Sequence, residues 1–398
     1  MERRTFLKLA AVLPGLALAG CGGSKTLLSA KNPTMLSIWH VYGEQADSPM
    51  NRLLTEFNDT VGKEKGILLN VTNMTNSAAI GGQLQDAKAG KPGALDLPDL
   101  FSAHPSDASA LGIETLVDWN DWFTAEDMAA YVPGFVQDGI IEGRQVVFPV
   151  TKSTQLIFLN GSQYARFAAD TGAQLSTLAT WDGFFEMAAA YRQWSQGKPF
   201  CALDYPLRLV ELNALEQGSG ETLAGLGSSA AILYYNDFVT YPDNTTEPTN
   251  LLLAPLPHAA GTTTPLMPQA GVGLCAFKTT DQKAEAAAVF LRWFTEQQRN
   301  LEFAADTGYM PVSSAAFDAI ADYPFEQQSY QRLYDVYNEM RLQNTPLSEP
   351  GIVGYHAKAK ALYDSLRQRQ KDYPQRLANG ETLEALTEET WQLLCDKA

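Results

Sequence analysis

The 398-residue sequence predicts an α/β fold, and two observations carry that assignment. Short apolar runs alternate along the chain with longer segments whose apolar residues recur at helical spacing. The first three such segments form a complete strand–helix–strand unit. Such a unit implies a parallel sheet that receives ligands at the carboxyl ends of its strands.

Met35-Leu36-Ser37-Ile38-Trp39 reads as the first strand, and the polar stretch 40–47, with Gly43, as a loop. Ser48 then stands as an N-cap with Pro49 at the first helical position. Met50, Leu53, Leu54 and Phe57 follow at i, i+3, i+4 and i+7. A turn through Lys63-Glu64-Lys65-Gly66 leads to a second strand over 67–71. Further strands are predicted at 99–102, 146–149, 156–159, 251–254 and 274–277. Helices are predicted at 180–196, 207–217, 284–306, 329–343, 357–371 and 381–395. The helix 284–306 is the best marked: Thr279-x-x-Gln282 has capping-box spacing, Ala287, Phe290, Leu291 and Phe294 share a face, and Gly308 supplies a stop. There is no internal repeat and no low-complexity tract.

The amino terminus reads as an address. Arg3, Arg4 and Lys8 precede an apolar run over 9–19 that is interrupted by Pro14-Gly15. That run falls short of the roughly 20 residues a bilayer core requires, so residues 1–20 read as a removable signal peptide. Leu18-Ala19-Gly20-Cys21 resembles the bacterial lipobox, which makes Cys21 the lipidated first residue of the mature chain. Arg3-Arg4-Thr5-Phe6-Leu7-Lys8 resembles a twin-arginine export motif, although Glu2 stands where that motif prefers Ser or Thr. The twin-arginine and general secretory (Sec) routes both stay open. Residues 21–33 read as a lipidated flexible tether between membrane and domain.

Composition then excludes several classes. The chain carries 29 basic against 45 acidic residues, a net −16, and removing the leader leaves 26 against 44, or −18. No basic stripe exists, so a nucleic-acid partner is not expected. Beyond Cys21 the cysteines are Cys201, Cys275 and Cys395, an odd number without C-x-x-C spacing. They read as small buried hydrophobes, with one bridge left open. The histidines His40, His104, His258 and His356 lack metal-ligand spacing, and no H-E-x-x-H, G-x-S-x-G or Walker motif occurs. Gly225-Leu226-Gly227-Ser228-Ser229-Ala230 matches a loose dinucleotide fingerprint, but no convincing strand precedes it. No cofactor or metal is therefore expected. Carboxylates of a glycoside hydrolase meet only in space, which keeps a surface hydrolase as the enzymatic alternative.

An ordered series of short landmarks spans nearly the whole mature chain. They are Ile38-Trp39-His40, Leu97-Pro98-Asp99-Leu100-Phe101, Gly143-Arg144-Gln145-Val146-Val147-Phe148-Pro149 leading to Leu156-Ile157-Phe158-Leu159-Asn160, and Thr180-Trp181-Asp182. Last comes the helix beginning near Ala284, followed by Thr307-Gly308-Tyr309-Met310-Pro311-Val312. In this order the series resembles the extracellular solute-binding proteins of the maltose-binding type (family 1), which serve ABC importers. The resemblance implies a two-lobed periplasmic-binding-protein (type II) fold, each lobe a mainly parallel sheet flanked by helices. It implies chain crossings near 151–154 and 271–273 and shortly after Val312. The lobes would then comprise 34–150 plus 274–315 and 151–273 plus 316–398. By the same resemblance the protein is a monomeric, lipid-anchored, extracytoplasmic receptor. It would bind a small-molecule solute, a carbohydrate or polyol, in the interlobe cleft and pass it to ABC permease subunits. An anionic solute such as a glycerol phosphate is the rival cargo, with Lys152 and Arg208 as available charges. A non-transporting sensor or adhesion lipoprotein is a further alternative.

The implied cleft supplies candidate ligand residues. Trp39, His40, Tyr42 and Glu44 end or follow the first strand; aromatic rings stack on sugar faces and carboxylates accept sugar hydroxyls. Trp39 reads equally as core, whereas His40 and Glu44 are expected to be exposed at the cleft. Ser102 and His104 follow the next strand, where Pro105 alternatively marks an ordinary turn. Lys152, Ser153 and Thr154 lie at the first crossing, as ligand contacts or as hinge. Ser228 and Ser229 suit an anion at a helix start or a plain N-cap. Tyr355 matches the family's sugar-stacking aromatic at the start of a late helix, with His356 as its alternate. Tyr309 reads as structural.

Overall fold

Sheets of four and three strands, with two further two-stranded pairs, organise the computed structural model, which describes residues 26–42, 48–74, 77–198, 200, 227–228, 251–325 and 328–397. In chain order, β1 (Thr34–His40), α1 (Pro49–Phe57) and β2 (Ile67–Asn73) form the expected βαβ unit. Ser48 caps α1 by accepting from Asn51 N–H at 3.3 Å, and Met50, Leu54 and Phe57 are buried as the spacing requires. There follow α2 (Ser77–Lys88), β3 (Leu100–Ala103), α3 (Pro105–Leu111), α4 (Ala125–Ala129), α5 (Pro133–Gln137), β4 (Ile140–Ile141) and β5 (Arg144–Gln145). Next are β6 (Gln155–Asn160), α6 (Gly161–Thr171), α7 (Trp181–Trp194), β7 (Gly227–Ser228), β8 (Leu251–Pro255), β9 (Leu266–Pro268) and β10 (Gly273–Ala276). The chain closes with α8 (Asp281–Phe294), α9 (Gln297–Thr307), α10 (Ser314–Ala319), α11 (Gln328–Gln343), β11 (Thr345–Leu347), α12 (Tyr355–Ala378) and α13 (Leu383–Lys397).

The first sheet has the order β10-β3-β1-β2, with β1 parallel to both neighbours and β10 antiparallel to β3. Side chains alternate across it with period two. Leu36 and Ile38 pack with Phe57, Phe290 and Phe294 on one face, while Trp39, Phe101 and Cys275 pack with Ile80 and Leu84 of α2 on the other. The second sheet has the order β7-β6-β8, and both neighbours run antiparallel to β6. Its described part is thus antiparallel, in contrast to the mainly parallel lobe that was expected. Ile157, Phe167, Trp181, Phe184 and Leu256 form its core.

The differences from expectation have local causes. Residues 146–149 make a lone bridge, Phe148 to Leu274, and no strand. The helix expected over 284–306 is two, α8 and α9, separated at Thr295-Glu296. There the Thr295 hydroxyl turns back to Leu291 O (2.7 Å) and meets Tyr131 Oη (2.7 Å). The cap of α8 is Thr280, which accepts from Lys283 N–H, one residue beyond the anticipated Thr279. Residues from Thr26 onward are docked and do not behave as a free tether. Thr26 Oγ1 and Leu27 N–H donate to the Glu285 carboxylate at 2.6 and 2.8 Å. Gly66 adopts φ +74°, where a Cβ would lie 2.1 Å from Ser29 O. The helix expected over 207–217, the leader with Cys21, and Cys201 lie outside the described residues.

Three chain segments interlock between the sheets. Lys152 exchanges backbone hydrogen bonds with Met310 (3.1 and 2.6 Å), and the adjacent Ser153 does the same with Ala270 (2.9 and 2.8 Å). Fully buried Asn300 on α9 braces the same place, donating to Val150 O (2.9 Å) and accepting from Val312 N–H (2.7 Å). The β4–β5 hairpin turns back beside this junction through Glu142 and Gly143, both at positive φ. Its base is Gly139, whose O accepts from Val146 and Val147 N–H. A Cβ at Gly139 would lie 1.8 Å from Val147 O, backbone against backbone. Gly139→Ala is therefore expected to cost about 3 kcal/mol in urea unfolding; an unchanged midpoint would contradict this packing.

Candidate functional site

The carboxyl end of β1 is held by its own side chains. His40 is fully buried, its Nδ1 accepting the Tyr42 N–H at 3.1 Å and its Nε2 lying 3.1 Å from Asn51 Oδ1. The backbone donor at Nδ1 places the proton on Nε2, which then donates to Asn51. Burial pushes the imidazole down to about 4, against which the Asn51 bond works weakly. Tyr42 follows with its hydroxyl 2.9 Å from Thr151 Oγ1 and its ring edge-on to Phe303 and Tyr309. Burial pushes its phenol well above the ordinary range. Ser48 Oγ donates to Tyr42 O at 2.5 Å, which joins the described chain on either side of residues 43–47.

At the junction, Lys152 and Asp138 form an ion pair with side chains 2% and 3% exposed. The other oxygen of Asp138 accepts Glu349 N–H at 3.0 Å. Glu349, itself buried, accepts from Ser106 Oγ at 3.3 Å, and its Oε2 lies 3.2 Å from His104 Nδ1. Thr151, Ser153 and Thr154 are buried beside the pair of Lys152 and Asp138. Tyr355, half-buried, opens α12 after Gly354 (φ +79°).

The sequence candidates thus separate. Trp39 is a core residue under α2. His40 is no exposed cleft residue, because α1 covers it and its ring nitrogens are engaged inside the protein. Ser102 is buried in β3 opposite Leu274, without a hydrogen-bond partner for its hydroxyl among the described residues. Ser153 is held by backbone pairing. Gly227 and Ser228 form strand β7 against Leu156 and Gln155, and the segment after Ser228 lies outside the described residues. Tyr309 is structural as expected, its ring on Tyr42 and its O accepting from Tyr334 Oη at 2.8 Å. Glu44 and Ser229 lie outside the described residues. The structure brings Tyr42 to Thr151 and His104 to Glu349. Asp138, Thr151 and Glu349 escaped the sequence reading, because single polar residues between unrelated segments carry no periodic signal.

Among the described residues no group of three or more His, Cys, Asp or Glu side chains is placed to hold a metal ion. No described helix is long and apolar enough to cross a membrane.

By sequence, neither a protein-family model nor a curated protein matches the chain. Its architecture is nevertheless shared. The cyclic α-maltosyl-1,6-maltose binding protein of Arthrobacter globiformis superposes with a TM-score of 0.67 at 16% identity, over 92% of this chain and 99% of that one. The sugar-binding protein MalE of Xanthomonas citri gives 0.62 at 15% identity, over 92% and 97%. UgpB of Mycobacterium tuberculosis, solved with glycerophosphocholine, gives 0.62 at 16%, over 92% and 99%. The chain therefore has the two-lobed α/β fold of type II periplasmic binding proteins, and the neighbours that share it are binding proteins.

Neutral His40 makes stability fall with acid. The unfolded chain protonates this residue near 6.5, whereas the folded chain resists until about 4. Its contribution is flat above pH 6.5, declines as pH falls through that window, and levels below 4. The total loss reaches about 3 kcal/mol. In urea unfolding at pH 7 and 4.5, His40→Gln should lose less stability between the two than the native chain; equal losses would refute the buried neutral ring.

Proposed function

We propose that the protein is a receptor of the maltose-binding type that captures a carbohydrate or polyol between its lobes and delivers it to an ABC importer without transforming it. The observation that carries this reading is the interlocked junction at Lys152-Ser153, in a fold whose neighbours bind solutes. Three segments pinned together at one place give two bodies a common axis, and closure about such an axis encloses a ligand. On this reading the lobes are 34–150 plus 274–315 and 151–273 plus 316–398. Glu44, His104 and Tyr355 are its ligand-facing candidates. The glycerophosphocholine complex of one neighbour favours a phosphodiester as the second cargo. The pairing of Lys152 with Asp138 weighs against it, because that ammonium is already neutralised.

A thermal-denaturation panel of maltose, maltotriose, cyclic tetrasaccharides, polyols, glycerol phosphate and glycerophosphocholine tests the proposal on the chain from Ser24 onward. A true ligand at 100 times its Kd should stabilise by about 2.7 kcal/mol. For lobes of this size that is roughly 5–10 °C in Tm. Silence across the panel counts against a receptor for these solutes, and consumption of a hit during incubation would favour the hydrolase.

Cys21 is the proposed lipid attachment after removal of residues 1–20, with the receptor held outside the cytoplasmic membrane as a monomer. Native chain expressed in a bacterium should partition with membranes and carry an amino-terminal lipid by mass spectrometry. Cys21→Ser should lose that mass, and an identical mass in both would exclude the assignment.

A further inference from the structure

Residues 349–351 leave β11 and lie across the other body of the molecule. β11 is paired with β9, and the preceding helix α11 packs on β8, where Arg332 donates to Leu251 O. The strap that follows bonds to the β3–α3 corner and to the residues beside the β4–β5 hairpin. It adds to the bond that Gln269, at the end of β9, sends that way, Nε2 to Gly134 O at 2.8 Å. Ser106 donates to the Glu349 carboxylate, His104 sits beside it at 3.2 Å, and Asp138 accepts its N–H. Ser109 Oγ donates to Gly351 O at 2.6 Å, and a Cβ at Gly351 would meet Ile141 Cγ1 at 3.3 Å. His104, Ser106 and Ser109 belong to the β3–α3 corner, and Asp138 and Ile141 to the hairpin beside it.

We infer that residues 349–351 are a latch that holds the lobes together without solute, an inference that rests on the two-lobed receptor reading above. The Glu349 side chain is 4% exposed. Its carboxylate occupies the Ser106 hydroxyl, a donor of the first body that would otherwise face a hydroxylated solute or water. Opening rehydrates the carboxylate, Ser106 and the strap backbone, so the contacts bias the closed form and do not lock it. The latch makes part of closure a property of the chain, with solute adding the remainder.

The test compares unliganded native chain with Glu349→Ala and, from the opposite side, Ser109→Ala, each first checked for an intact thermal transition. Small-angle scattering should show a larger radius of gyration in both variants. Hydrogen exchange should show the amide at position 349 of Glu349→Ala losing protection by about tenfold. If Glu349→Ala fails to fold, Ser109→Ala alone decides. Scattering and exchange indistinguishable from the native chain overturn the latch, even if solute still compacts the protein and the receptor reading survives. Expansion of the variants without any solute response supports the latch while removing the receptor.

Discussion

A buried ammonium at the point where the chain passes between its two larger sheets governs the rest of the structure. A buried ion pair needs both its members, and stripping one partner from such a pair costs about 3–5 kcal/mol. Asp138 must therefore be held in place. That requirement explains the tight hairpin base at Gly139 and the use of Glu349 N–H to fix the second carboxylate oxygen. The pair does not define the fold through its own energy, since desolvation offsets most of the attraction. It ties the hairpin and the crossing segment to a single geometry and leaves its second carboxylate oxygen as the seat for the strap, which independent apolar contacts would not do.

Much of the fold was legible because it obeys local rules. The capped helix beginning at Pro49 declared itself by N-cap, proline and apolar spacing, and Gly308 does end α9 in the left-handed region. Elements whose stability comes from tertiary contact were harder to read. α2 contains Gly81 and Gly82 and has a weakly amphipathic sequence, yet it forms because Ile80 and Leu84 cover Trp39 and Phe101. Pro374 lies inside α12, where a local reading ends the helix early. The break at Thr295 meets Tyr131, and Asn300 on the helix that follows meets Val150, both partners remote in sequence.

The site was legible only at its edges. Lys152 and Ser153 could be named as special positions, and they do pair with Met310 and Ala270 of two distant segments. The chemical meaning of several polar residues depended on partners more than a hundred residues away, as with Tyr42 and Thr151 or His104 and Glu349. His40 shows the limit clearly. A histidine after a strand suggests a cleft residue, and the register of β1 turns it under α1 as part of the same face as Ile38.

If the proposed reading as a lipid-anchored receptor holds, the docking of Thr26 and Leu27 on Glu285 sets how it would stand at a membrane. With lipid at Cys21, residues 22–25 alone separate anchor from body, a reach of at most about 17 Å. The body carrying β1 and α8 would then be the moored one, kept within a fraction of its own diameter of the bilayer. Any swing about the junction would be made by the other body, so the mouth would open outward from a stationary base.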